Sequence, residues 1–218
     1  MSFNKILSCL FCLIFTVSFS NLALAQNVHE AVAALAQDWA SAKYQATKNN
    51  QLVAFEELIE RAEQLSKIYP NDPELLTWYG TILCSYSSIK GGISVLPHVK
   101  KARNLLEQAL TINTQTADGM ALCVLGSLYA RVPGKPIAFG NKTKAQYFLE
   151  QALKVAPNSI HANYYYGDFL MAQGKHKNAH YYLSKALHLP VRSRYVIEDT
   201  GRKNEAEQAL TKLQRSAA

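Results

Sequence analysis

His176 and His180 stand four residues apart, a spacing that on a helix turns two imidazoles toward one metal ion, with His188 two turns beyond His180. His161, which opens the preceding helical stretch, joins them if the intervening turn folds back closely. Such a group would define a metal-binding protein or a metal-dependent enzyme. Against it, no Asp or Glu stands beside the pair as in a helical zinc-protease motif, and His180 directly follows the apolar-face residue Ala179. The simpler reading makes His176 and His180 surface or partly packed histidines.

No nucleophile stands out elsewhere. The chain lacks a Gly-x-Ser-x-Gly elbow and a glycine-rich phosphate loop, and neither Cys84 nor Cys123 has an electropositive neighbour that would lower its pKa. Asp168, Asp118 and Glu74 read as helix-surface or cap residues. The sequence therefore assigns no catalytic residue and no cofactor, and the chemistry left is non-covalent binding.

Aromatic and aliphatic side chains carry that reading. Tyr164, Tyr165 and Tyr166 are consecutive, so a helix points them in three directions and they do not all pack in a core. Tyr166 reads as packing, and Tyr165 or Tyr164 as the ring facing a groove. Between two helical stretches, 131–141 holds Pro133 and Pro136, which stiffen it, and Ile137 and Phe139, which are wasted in water. An earlier insertion, 87–98, holds Gly91, Gly92, Ile93 and Pro97. Tyr165, Phe139, Ile137 and Ile93 are the candidate binding residues, suited to a peptide or a small apolar ligand. The two insertions should lie side by side along one edge.

The elements that position them repeat. Glu-Gln-Ala-Leu occurs at 107–110, 150–153 and 207–210, and Ala102, Leu106, Ala109 recurs as Ala145, Leu149, Ala152 and as Ala179, Leu183, Ala186. Steps of four and three residues place these on one helical face. Upstream of each stripe a second helix carries a central glycine: Gly80, Gly126 and Gly167. A glycine within a helix costs about 1 kcal/mol relative to alanine, so three at one register imply close approach of the partner helix. Breaks follow at Pro157 and Pro190, and Asp72-Pro73 supplies an N-cap and a first-turn proline. The unit is helix, turn, helix, break.

In these residues the chain resembles the tetratricopeptide repeat family, best in the copy with Leu122, Leu125-Gly126, Tyr129, Ala145, Leu149, Ala152 and Pro157. The resemblance implies an all-α, right-handed solenoid with a C-terminal capping helix: a degenerate repeat at 28–70, repeats at 73–114, 117–157 and 160–190, and a cap at 203–214, together one domain over 26–218. The insertions are also similar to those of the T component of tripartite ATP-independent periplasmic transporters, through Gly91-Gly92 with Leu96-Pro97 and Pro136 with Phe139-Gly140. Asn141 replaces that family's second glycine. This second resemblance implies an accessory that binds a transporter component or a small apolar ligand.

Residues 1–25 read as a cleavable secretory signal, with Lys5, the apolar run 6–19 and Ala23-Leu24-Ala25 before Gln26. The run is shorter than the roughly 20 residues of a spanning helix, so the mature chain is expected in the periplasm or secreted, without stable membrane insertion. The formal charge of +7 is spread along the sequence with short clusters at Lys100-Lys101-Arg103 and Arg192-Arg194, a solvated surface. No nucleic-acid-binding motif is present. Removal of the signal leaves Cys84 and Cys123 in an oxidising compartment. Counted from the repeat glycines they are offset by seven residues, about 10 Å along a helix axis, beyond the roughly 7 Å that a disulfide spans between alpha carbons.

Overall fold

The computed structural model describes residues 27–217. Among them are nine helices and no strand: α1 (27–44), α2 (Lys48–Ile68), α3 (Pro73–Lys90), α4 (Leu96–Ile112), α5 (Met120–Arg131), α6 (Lys142–Val155), α7 (Ile160–Ala172), α8 (His176–His188) and α9 (Val196–Ala217). The chain divides into two units between Ala34 and Leu35, inside α1. Of the first unit, 27–34 is described and is helical. The second, Leu35–Ala218, carries the repeats. The signal-like stretch 1–25 lies outside the described residues. Among the described residues no helix is long and apolar enough to cross a membrane.

In the second unit α3 packs on α4, α5 on α6 and α7 on α8. Each pair rests on the next, α5 against α3 and α4, α7 against α5 and α6, and α9 against α7 and α8. This is an all-α solenoid of helix-turn-helix repeats closed by a C-terminal helix.

The repeated stripe is the glue. All nine of its residues, from Ala102, Leu106 and Ala109 to Ala179, Leu183 and Ala186, are fully buried. Across the seam, Gly80 faces Leu106, Gly126 faces Leu149 and Gly167 faces Leu183. In α2 the buried set is Phe55, Leu58 and Ala62, with Leu65 half-buried, so the degenerate first copy keeps its seam one turn nearer its start. There the ring of Phe55 supplies the apolar surface.

The repeated word also ties each unit to the one before. Gln108, from the first copy, donates Nε2 to the carbonyl of Pro70 at 3.2 Å, and Lys185, at the same register in α8, donates Nζ to that of Pro157 at 2.8 Å. Both reach the break that ends the preceding hairpin, where helix carbonyls lack intrahelical partners. Asp72 accepts from the Leu75 N–H at 2.7 Å with Pro73 in the first turn. Asn141 and Ser159 cap α6 and α7 in the same way.

Two boundaries differ from expectation. The first insertion is short, because α3 continues to Lys90 and α4 begins at Leu96 with Pro97 in its first turn, leaving 91–95 between them. Gly91 and Gly92 turn the chain there at φ of 64° and 77°. The last helix starts at Val196, well before Lys203. Gly201 concealed that start, since a glycine weakens a helical pattern. It is needed for close approach: a Cβ there would lie 2.4 Å from Cγ of Tyr44.

Candidate functional site

A cleft of about 620 Å³ runs along the first helices of the successive repeats. α1 contributes Lys43, α3 contributes Cys84 and Ser85, α5 contributes Leu128 and Arg131, α7 contributes Tyr164 and Tyr165, and α9 contributes Arg202 and Glu205. Both insertions reach it, the first through Ile93 and Val95 and the second through Val132 and Ile137. Ile93, Ile137 and Tyr165 thus line one space.

Phe139 is not among the lining residues. Its ring meets Tyr129 edge-on at 5.5 Å, and the Arg103 guanidinium sits 4.6 Å from its centroid. Two residues past Ile137, it turns to the repeat body, where an aromatic neighbour and a cation hold it half-buried.

Arg202, 1% exposed, forms the floor beside Tyr164 and Tyr165, whose ring centroids lie 4.8 and 4.6 Å from its guanidinium carbon. It donates Nη1 to Glu205 at 2.5 Å, Nη2 to the Tyr165 hydroxyl at 3.2 Å and Nε to His161 Nδ1 at 3.3 Å. The other ring nitrogen of His161, Nε2, stands 3.0 Å from Glu198 and 3.6 Å from Asp199. Arg192 closes the chain of charges, donating to Asp199 from its backbone N–H at 2.8 Å and from Nη2 at 2.7 Å. A buried arginine is tolerable only with its donors met, and here each of its donor nitrogens has a partner.

The surroundings shift these groups in opposite directions. Burial would raise the carboxyls of Glu198, Asp199 and Glu205, but the facing cations and hydrogen bonds outweigh it and hold all three below the ordinary carboxylate range. Lys43 is brought down to about 8, first by burial and then by the charge of Arg202, against the pull of Glu205 at 3.2 Å. Burial pushes both thiols up to about 12. Cys123 is buried, Cys84 half-buried, and both are free.

His176 and His180 are exposed on α8. His180 Nδ1 lies 3.5 Å from the Ser184 hydroxyl, and His188 Nδ1 lies 2.7 Å from the Ser184 carbonyl. His161 is turned into the charge cluster instead of toward them. Among the described residues no group of three or more His, Cys, Asp or Glu is arranged to hold a metal. Asp168 pairs with Arg131 at 2.6 Å and Asp118 approaches Arg192 at 3.5 Å, so neither is a lone acid. Each basic cluster holds a paired residue, Lys101 with Glu63 at 2.8 Å and Arg192 with Asp199 at 2.7 Å.

Sequence reasoning missed Lys43, Arg202 and Glu205, and singled out His161 only as a companion of His176 and His180. The available signal was Glu198, Asp199, Arg202 and Glu205 at helical spacing, in a stretch that reads as a linker if Gly201 is taken for a break.

Fold and seam together define a helical-repeat protein of the tetratricopeptide kind. Residues 49–188 match the family described as plant specific mitochondrial import receptor subunit TOM20, and the chain belongs to that family. The matching family is not the transporter T component that the insertions resemble. The crystal structure of MamA is similar at a TM-score of 0.45 and 19% identity, over 79% of this chain and 95% of that one. No curated protein matches the chain.

Proposed function

We propose that the protein is an exported, non-enzymatic scaffold that recognises a partner protein along the edge of its cleft. The observation that carries this reading is the pair Ile93 and Ile137, 78% and 60% exposed, which two neighbouring insertions hold at the same cleft. Large aliphatic side chains held in water on constrained loops mark a surface that a partner covers. The family description, an import receptor subunit, accords with recognition of another protein. Export rests on the secretory pattern of residues 1–25, with the periplasm as destination. The insertions' resemblance to the transporter T component supports a transporter component as the partner.

The test is affinity capture from intact cells with wild type and the double variant Ile93→Ser/Ile137→Ser. Loss of the same co-purifying protein at unchanged helicity supports the scaffold, and equal recovery overturns it. N-terminal sequencing of the captured protein checks export, with Gln26 expected first.

A further inference from the structure

The cleft interior holds a charge pattern that a partner at its rim leaves unused. Three cations, Lys43, Arg131 and Arg202, line it with one carboxylate, Glu205. That carboxylate is shared, one oxygen 3.2 Å from Lys43 and the other accepting from Arg202 at 2.5 Å. Arg131 gives Nη2 to Asp168, which stands outside the lining, and its other N–H groups remain for a ligand. Among the described residues the ion-pair partner of Lys43 is Glu205, and its ammonium also stands 5.3 and 5.1 Å from the ring centroids of Trp39 and Tyr44, which take none of its three protons in a conventional hydrogen bond. The interior is therefore short of negative charge.

Aliphatic wall completes it, with Val95, Leu96, Val99, Val124 and Leu128 in the lining. The hydroxyls that α3 places there are already used: Thr81 donates to the Thr77 carbonyl at 2.8 Å, Ser85 to Thr81 at 3.0 Å, Ser87 to Leu83 at 2.7 Å and Ser88 to Ser85 at 2.8 Å. Helix backbone offers nothing either, since its own ladder consumes it. A peptide main chain laid along this wall would find the Ser127 hydroxyl of α5 as a donor and would bury its other carbonyls unpaired, which is costly. An alkyl tail asks for none. The volume lies in the range of about 300–1,000 Å³ common for small-molecule sites.

We infer that the cleft binds a small organic acid, a single carboxylate on an apolar tail, with the carboxylate at Lys43 and Arg131 and the tail along Val95, Val99, Val124 and Leu128. The acid goes beyond the protein partner proposed above and occupies the interior, not the rim. Lys43, brought down by burial and by the charge of Arg202 and Arg131 while it shares Glu205 with Arg202, gains a second counter-ion when the acid is bound.

Decanoate and 1-decanol are the probes, titrated into the folded mature protein by calorimetry and by emission of Trp39, whose indole N–H donates to the lining residue Ser85 at 2.8 Å. Decanoate is expected to bind about tenfold more tightly than decanol, the margin of a charge-assisted contact. Lys43→Gln and Arg131→Gln should each bring decanoate toward the decanol value and leave decanol unchanged. Arg131 is exposed, so its replacement leaves the fold intact. Equal binding of the two probes, no binding, or decanoate affinity unaltered in both variants overturns the inference. So does tighter binding of an acetylated aliphatic tetrapeptide with a free C-terminus, which would assign the cleft to a chain end. Partner capture through Ile93 and Ile137 is scored separately, so decanoate can fail while the scaffold reading stands.

Discussion

A Cβ placed on Gly126 would stand 2.6 Å from Cγ of Leu149 and 3.2 Å from the Ala145 carbonyl oxygen, and Gly80 and Gly167 approach Leu106 and Leu183 almost as closely, at 2.8 Å. The glycine is thus a helix-packing residue. Gly126→Ala gains about 1 kcal/mol of helix propensity but forces an overpacked seam apart at a cost of about 1–3 kcal/mol. Because one of the atoms met is backbone, the cost should win, with net destabilisation of up to about 2 kcal/mol. Urea unfolding of Gly126→Ala, Leu149→Ala and the double variant checks it. The double variant should lose less than the sum, since Leu149→Ala removes the atom that Gly126→Ala meets.

Asp199 is the second prediction. Fully buried, it accepts three hydrogen bonds from Arg192, and its carboxyl is held well below its ordinary value of 3.8 despite burial. A carboxyl with a lowered folded value contributes stability that is present above pH 4 and fades as pH falls toward the folded value. Glu198 and Glu205 act in the same direction. The wild type should lose stability steeply below pH 4, followed by helicity at 222 nm. Asp199→Asn should cost about 3–5 kcal/mol at neutral pH, the penalty of breaking one side of a buried pair, and show a flatter acid limb. An acid limb as steep as the wild type's would sink the assignment.

Local pattern is legible where each side chain's partner recurs at a fixed spacing. Ala145, Leu149 and Ala152 could be placed in a seam because the same triplet stands in two other helices, and Gly126 because two other glycines share its register. Ile93 and Ile137 were readable as constrained apolar residues on insertions. Arg202 was not, because its partner His161 is 41 residues away and no spacing announces the pair. The place of Gly201 inside the last helix has a similarly distant cause, since the ring it accommodates belongs to Tyr44. Phe139 was legible as a ring that must be covered, though not as one covered by Tyr129 and Arg103.

Lys43 gives a prediction in the alkaline range. Its ammonium value falls from 10.5 in the unfolded chain to about 8 in the fold, because burial and Arg202 outweigh Glu205. Below pH 8 both states are protonated and the cost of burying the charge is fully present. Between pH 8 and 10.5 the unfolded chain binds more protons than the folded one, so this group's share of stability rises with pH. Across the window the gain is on the order of 3 kcal/mol. Lys43→Met should therefore stabilise the protein at pH 7 and flatten that rise, while Arg202 still satisfies Glu205. Thermal melts at pH 7, 8.5 and 10 decide it, and a variant less stable than wild type at pH 7 counts against the account.

The two cysteines test the helix offset directly. Both are free and both thiols are pushed up to about 12 by burial, so at pH 8 only about one in ten thousand is thiolate. In the folded protein an aromatic disulfide reagent should therefore react slowly at Cys84, which borders the cleft, and not at Cys123, which is 0% exposed. Cys84→Ser should abolish the slow native phase. In denaturant without reductant both thiols should titrate. No thiol under those conditions would mean that Cys84 and Cys123 are joined, and the stagger between α3 and α5 would then have to be smaller than the seam register implies.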